Sequence, residues 1–286
     1  MGPVWQRLKD PGEQMARPYL SIVITAYNES ARIEQTLERV TWCVEEQGWD
    51  AEILVVDDGS QDWTAQIVKL WMERYPRLKL VQNNGNRGKG YSVRNGLLQA
   101  AGEVVMFTDA DLSAPMEEAN LLMAAIADGA DVAIGSRWMD KTRQTMHQPL
   151  YRRFFGRCFN FVTRMVMGLP FKDTQCGFKA FRRPAAQVIF RLQRIERWGF
   201  DPEILFIARK LGYDIREVPV TWGHDERSRM SYLKDGMKML EEMAAIRVNS
   251  IAGRYDEDIA ALKDTSSMVT APVTTVKVRP SPQVHG

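Results

Sequence analysis

Through its first half the chain alternates short, unbroken apolar runs with stretches whose apolar residues recur at helical spacing. Leu20 to Ala26 (LSIVITA) is β-branched, continuous and too short for a helix, so it predicts a buried strand. Asn28 or Ser30 then offers a helix cap, and Ile33, Leu37, Val40 and Val44 fall on one helical face. The alternation repeats. Strand Ile53 to Val56 precedes a helix turning Ile67, Val68, Trp71 and Met72 inward. Strand Leu78 to Val81 precedes a helix with Val93, Leu97 and Leu98. Strand Val104 to Thr108 precedes a helix with Leu121, Leu122, Ala125 and Ile126, and Asp131 to Gly135 is a further strand. This order predicts an α/β fold, a mostly parallel sheet with helices on both faces. Ligands bind such sheets beyond the carboxyl ends of the strands.

The second half is less regular. Asp173 to Phe181 (DTQCGFKAF) reads as a loop entering a strand, and Ile215 to Val220 as a strand. Tyr232 to Arg247 reads as a helix with Leu233, Met237, Leu240 and Ala244 on one face. From Asp264 onward Thr, Val, Pro and Ser dominate without periodicity, which predicts disorder. No internal repeat is present.

Composition narrows the classes. The chain has 286 residues and a formal net charge of +2, which gives no support for nucleic-acid binding. Cys43, Cys158 and Cys176 match no zinc or disulfide pattern and read as small buried thiols in a reducing compartment. No apolar run is long enough to span a bilayer, and Met1 to Arg17 lacks the apolar core of a signal peptide. The expected location is cytoplasmic, with a peripheral seat on the cytoplasmic face of a membrane as the second option.

Polar chemistry gathers at three predicted strand ends: Thr25 to Glu29, Asp57-Asp58, and Asp109-Ala110-Asp111. Carboxylates at i and i+2 on an extended end can point the same way, and a hard divalent cation wants such oxygens while keeping positions open for phosphate. An acidic turn or helix cap would use the same residues. Of Asp57 and Asp58, one can cap the next helix while the other accepts from a nucleobase N–H. Tyr27 can pack on that base or in the core, and Glu29 can bind ribose. Asn83 to Gly90 (NNGNRGKG), with Arg87 and Lys89, lacks P-loop spacing and reads as a wall of the nucleotide site.

Together IVITAYNE (22–29), ILVVDDGSQD (53–62), NRGKGYSVRNG (86–96), FTDADL (107–112) and IGSR (134–137) resemble the inverting family 2 glycosyltransferases of the GT-A fold. DTQCGFKAF (173–181), WGFDPEIL (198–205) and EVPVTW (217–222) resemble the dolichyl-phosphate and polyprenyl-phosphate glucosyltransferases. The resemblance implies a nucleotide-sugar donor held by Thr25, Tyr27, Glu29, Asp58, Lys89, Ala110 and Arg229. It implies Mg²⁺ or Mn²⁺ on Asp109 and Asp111, and phosphate contact by Arg137. It further implies hexose transfer, glucose from UDP-glucose, to a polyprenyl or dolichyl phosphate. Three features depart from the family: Thr25 stands for Pro, Ser113 stands for a polar residue that assists the metal, and the membrane segments of many relatives have no counterpart.

An ionised phosphate acceptor needs no strong base. A hydroxyl acceptor would need one, with Asp173, Asp201 and Glu203 as candidates, Asp201 foremost. Asp201 and Glu203 equally suit a helix start around Pro202. Arg137 to Arg164, with Lys141, Arg143, Arg152, Arg153 and Arg157 among Tyr151, Phe154, Phe155, Phe159 and Phe161, reads as a lipid-headgroup surface or as an ordinary amphipathic helix. The predicted organisation is an N-terminal extension (1–17), a GT-A domain (18–255) and a disordered tail (256–286). Other readings are a soluble family 2 enzyme with a sugar, lipid or small-molecule hydroxyl acceptor, GDP-mannose as donor, a non-catalytic nucleotide-binding module, or a nucleotidyltransferase.

Overall fold

Strand β1 (Leu20–Ala26) is buried along its whole length except at Thr25. This is where the computed structural model, which describes residues 17–140, 150–223 and 232–269, begins its core. The remaining strands are β2 (Ala51–Asp57), β3 (Leu78–Gln82), β4 (Val104–Asp109), β5 (Val132–Ser136), β6 (Lys179–Arg182) and β7 (Ile215–Pro219). They form one sheet in the order β3-β2-β1-β4-β6-β5-β7, parallel except for β6, which runs antiparallel to both β4 and β5. The helices are α1 (Ile33–Glu46), α2 (Thr64–Arg74), α3 (Lys89–Gln99), α4 (Ala119–Ala127), α5 (Leu150–Met167), α6 (Arg183–Leu192), α7 (Phe200–Lys210), α8 (Tyr232–Ile251) and α9 (Arg254–Val269). A single 3-10 turn, Met116–Glu118, precedes α4.

The two-residue period of the strands divides the core into two layers. Ile22, Ile24, Ile53 and Val55 face Leu37 and Val40 of α1 and Leu122 of α4. Val23, Leu54, Val56 and Phe107 face Val93 and Leu97 of α3, with Phe181, Phe190 and Phe200 behind them. Each such side chain contributes about 1.5–3 kcal/mol by leaving water. On the second layer α3 lies very close to the sheet. A Cβ on Gly96 would run into Val23 Cγ1 and come 2.7 Å from Val56 Cγ2. Gly96→Ala is therefore expected to cost about 1–3 kcal/mol through overpacking despite its better helix propensity. The check is a urea midpoint that falls while the slope stays constant.

Several expectations change. The N-cap of α1 is Arg32, whose side chain makes no capping bond, rather than Asn28 or Ser30. Those two residues are taken by the neighbouring loop, where Ser60 Oγ accepts from Asn28 N–H and Asp62 from Ser30 N–H. Met72 and Leu121 point outward, because Val68 and Leu122 already fill the space beneath α2 and α4. Helix α8 carries two apolar stripes. Met239, Met243 and Ile246 are the buried one, while Met237 and Leu240 of the predicted face are exposed.

The predicted tail also starts too early. Helix α9 continues to Val269, and Tyr255 is fully buried, its hydroxyl donating to Glu203 Oε1 at 2.6 Å. Ile259 and Leu262 pack against the same layer. Periodicity missed this helix because its exposed face is highly polar. Residues 1–16 and 270–286 lie outside the described residues. Cys43 and Cys176 are buried free thiols.

Candidate active site

Parallel pairing aligns the polar strand ends. Thr25 is the register partner of both Val56 and Asp109, Ala26 pairs with Asp57, and Asp57 pairs with Gln82. Three segments far apart in sequence thus end at one level of one sheet edge. The loop after β1 is stapled to the loop after β2: Glu29 N–H donates to Thr64 Oγ1 and Gln61 N–H to Asn28 Oδ1, both at 2.8 Å. Burial opposes ionisation of Asp62, but hydrogen bonds from Thr64 and Ser30 hold it down at about 2. Tyr27 is 37% exposed, so its ring faces the open edge rather than the core. The Glu29 carboxylate pairs with Arg32 at 2.6 Å.

The two adjacent aspartates take different tasks. Asp57 Oδ1 accepts from Ser60 N–H and Oδ2 from Gln82. Buried Asp58 accepts from Asn83, from Arg87 N–H and from Gly88 N–H at 2.8–3.0 Å. It therefore holds the glycine loop against the sheet. A carboxylate has about four lone-pair sites, so these three bonds do not exhaust Asp58. Gly88 has φ +107, and a Cβ there would stand 2.6 Å from Glu196 O, so only glycine fits. This turn delivers Lys89, the first residue of α3, to the site.

At the end of β4 the chain turns sharply: Leu112 N–H donates back to Asp109 O, and Leu112 adopts φ +46. A left-handed leucine is backbone strain of the kind that clusters at functional sites. Ala110 is buried, its carbonyl accepting from Thr36. Asp111 Oδ1 accepts from Ser113 N–H at 2.9 Å. Burial, and then the charge of Asp109, push the Asp111 carboxyl above the ordinary range. Lys89 Nζ sits 2.5 Å from Asp109 Oδ1. Burial would pull this ammonium down, but the charges of Asp109, Asp201 and Asp111 outweigh it and hold it charged. A Cβ on Gly177 would strike Asp109 Oδ2, so the loop entering β6 approaches the pair through a glycine.

Among the described residues, no cluster of three or more His, Cys, Asp or Glu forms a closed metal site. The two carboxylates still fit a hard cation. They are oxygen donors on one turn, they repel each other, and a cation held by only two protein ligands keeps positions for phosphate oxygens.

Beside this pair is an open concavity of about 210 Å³ lined by Asp109, Ser113, Cys176, Gly177 and Trp222. Burial, and then the charge of Asp173, push the Cys176 thiol up to about 12, which leaves it inert. Trp222 is tied to the Asp109–Asp111 turn because Gly223 N–H donates to Ser113 O at 2.7 Å and Thr221 N–H to Glu118 at 2.6 Å. On its other side the Arg137 guanidinium lies 5.6 Å from the Trp222 ring centre and 5.8 Å from that of Trp138.

Arg137 forms a bidentate pair with Asp173, Nε to Oδ2 at 2.6 Å and Nη2 to Oδ1 at 2.8 Å. The Asp173 side chain has no exposure. Burial would raise its carboxyl, but the Arg137 charge and hydrogen bonds bring it below the usual range. Asp201, predicted as foremost base, is not poised for that task. It is buried and paired with Lys179, whose ammonium also donates to Cys176 O. Glu203 is likewise committed, accepting from the N–H groups of Arg194 and Ile195 and from Tyr255.

Lys179 escaped the sequence reading because a lysine within an apolar strand looks like an edge residue. Its buried partner lies 22 residues on. Trp222 appeared there only within a longer motif. Arg229, Lys141 and Arg143 lie outside the described residues, as do the side chains of Arg152, Arg153 and Arg157.

The family model described as "Glycosyl transferase family 2" matches residues 21–190. A dolichyl-phosphate beta-glucosyltransferase of Trichomonas vaginalis is 33% identical over 240 residues, 80% of this chain and 73% of the relative. The enzyme of that name from Saccharomyces cerevisiae is 34% identical over 258 residues, 84% of this chain and 77% of the relative. Among solved structures, glucosyl-3-phosphoglycerate synthase of Mycobacterium tuberculosis in complex with Mn²⁺, UDP and glucosyl-3-phosphoglycerate superimposes with TM-score 0.58. That match is 20% identical and covers 81% of this chain and 79% of that one. The same synthase is also solved with Mg²⁺ and UDP. The first matches establish the family and the last the fold: the chain belongs to glycosyl transferase family 2 and is a glycosyltransferase of the family that holds the dolichyl-phosphate beta-glucosyltransferases.

Proposed function

We propose that this glycosyltransferase moves glucose from UDP-glucose to a polyprenyl phosphate, with inversion and with Mg²⁺ or Mn²⁺ on Asp109 and Asp111. The observation that carries the acceptor assignment is the fate of the three candidate bases. Asp173, Asp201 and Glu203 are all buried and committed to ion pairs or backbone donors. A hydroxyl acceptor would find none of them poised to take its proton, whereas a phosphate arrives already ionised. The relatives' names supply glucose and the polyprenyl phosphate class.

In this reading Thr25, Tyr27 and Asp58 hold the nucleoside, with Glu29 released from Arg32 to the ribose. Arg137 brings a permanent positive charge to the acceptor phosphate, its angle set by Asp173 and by the two tryptophans. Lys89 meets the negative charge that develops on the diphosphate as the glycosidic bond breaks. A bound divalent cation would neutralise diphosphate charge at the same place.

Among the described residues no helix is long and apolar enough to cross a membrane. On α5, Phe161 and Met165 are 60% and 69% exposed. Exposed apolar side chains on a helix rich in arginine favour the lipid-surface reading of this segment over core packing, and with it a peripheral seat on a membrane.

The test is transfer from labelled UDP-glucose and GDP-mannose to polyprenyl phosphate and to soluble hydroxyl acceptors, with Mn²⁺ and with EDTA. A glucosylated lipid phosphate that forms only with metal is the expected product. Transfer to a soluble acceptor with no lipid-linked product, or preference for GDP-mannose, would overturn the assignment.

A further inference from the structure

We infer that Lys89 is an internal counter-ion that occupies Asp109 in the donor-free protein, so that metal and nucleotide must enter together and the lysine passes from the carboxylate to the diphosphate. This rests on the metal and diphosphate reading above.

Three observations carry it. The ammonium of Lys89 is 2.5 Å from Asp109 Oδ1, on a turn so closely packed that a Cβ on Gly177 would strike Oδ2. A divalent cation approaching Asp109 therefore meets a positive charge already in place, and two cations on one carboxylate repel. Next, the backbone beneath Lys89 is fixed, because Gly88 N–H is held by buried Asp58. The four-carbon stem above it is the part able to move. Finally, the ammonium has somewhere to go. Its side chain keeps 16% exposure, and Nζ is 5.6 Å from the ring centre of half-exposed Trp198. The charge of Asp201 also acts on it, while Asp201 is paired with Lys179.

A bound diphosphate would offer Lys89 new oxygens and free Asp109 for the metal. Linkage then requires that the nucleotide raise the metal's affinity by the same factor by which the metal raises the nucleotide's. The coupling would reside largely in one side chain.

The experiment is Mn²⁺ binding to the full chain by electron paramagnetic resonance, with and without UDP, for the wild type and the Lys89→Met, Lys89→Gln and Lys89→Arg variants. Melting curves check the fold of each. Expected for Lys89→Met and Lys89→Gln is Mn²⁺ binding about tenfold tighter without UDP, as losing one charge-assisted competitor implies. UDP binding at saturating Mn²⁺ should be about tenfold weaker, on the same grounds. Lys89→Arg should keep the wild-type order. A merely structural lysine would weaken both ligands together. Unchanged or weaker Mn²⁺ binding in both neutral variants, with normal UDP-dependent Mn²⁺ binding by the wild type, overturns this inference alone. A wild type that binds no Mn²⁺ even with UDP overturns the metal reading as well.

Discussion

Replacing Asp111 by alanine should reduce glucosyl transfer about 10³-fold, beyond the roughly 10–100-fold that losing an outer-shell partner costs a metal enzyme. Among the described residues, Asp111 forms no ion pair with a lysine, and it accepts from the N–H of Ser113 two residues on. Its loss leaves the Lys89–Asp109 pair intact and removes a carboxylate whose ionisation is opposed by burial and then by the charge of Asp109. The variant should therefore melt at or slightly above the wild-type temperature while being nearly inactive. On the proposed metal reading, activity and stability part company here because the site stores like charge for a cation. A transfer assay and a thermal melt on the same preparation provide the check. If turnover survived with its metal dependence unchanged, the Asp109–Asp111 turn would not be the metal site.

The second large effect is on stability. Asp173→Ala leaves the Arg137 guanidinium, 22% exposed, without its bidentate partner. Breaking one side of a buried ion pair costs about 3–5 kcal/mol, mostly the cost of the orphaned charge. At about 2–4 °C per kcal/mol for a chain of this size, the melting temperature should fall by roughly 6–20 °C. The double variant Arg137→Met/Asp173→Leu removes both charges and should recover much of that loss while remaining inactive. A double variant as unstable as the single would mean that Asp173 matters through its other contacts, such as Gln175 N–H.

The parts of the molecule legible in the linear chain are those whose signal is local. Strands such as Leu20–Ala26 announce themselves because six or seven adjacent residues carry the pattern. The acidic strand ends were legible for the same reason, since a short polar group after a buried strand marks the carboxyl edge of a parallel sheet. Helix α9 and the buried stripe of α8 were not, because each is apolar on a face that exists only once a neighbour covers it. Tyr255 looks like one more residue of a polar helix until Glu203 is seen beneath it.

What the chain alone determined is the α/β alternation, the edge that bears the chemistry, and the residues Thr25, Asp58, Asp109, Asp111 and Arg137 at or near it. What only the tertiary structure decided is which charge answers which. Arg137 and Asp173 are 36 residues apart, and Lys179 and Asp201 are 22 apart. Lys89, the first residue of α3, meets Asp109, the last of β4, 20 residues on. These pairings follow from β6 inserting antiparallel between β4 and β5, which sets the loop from Asp173 to Phe178 against both acidic and basic strand ends. Strand order is a long-range property of packing, and residue spacing carries no record of it. The same insertion pairs Asp173 with Arg137 and Asp201 with Lys179.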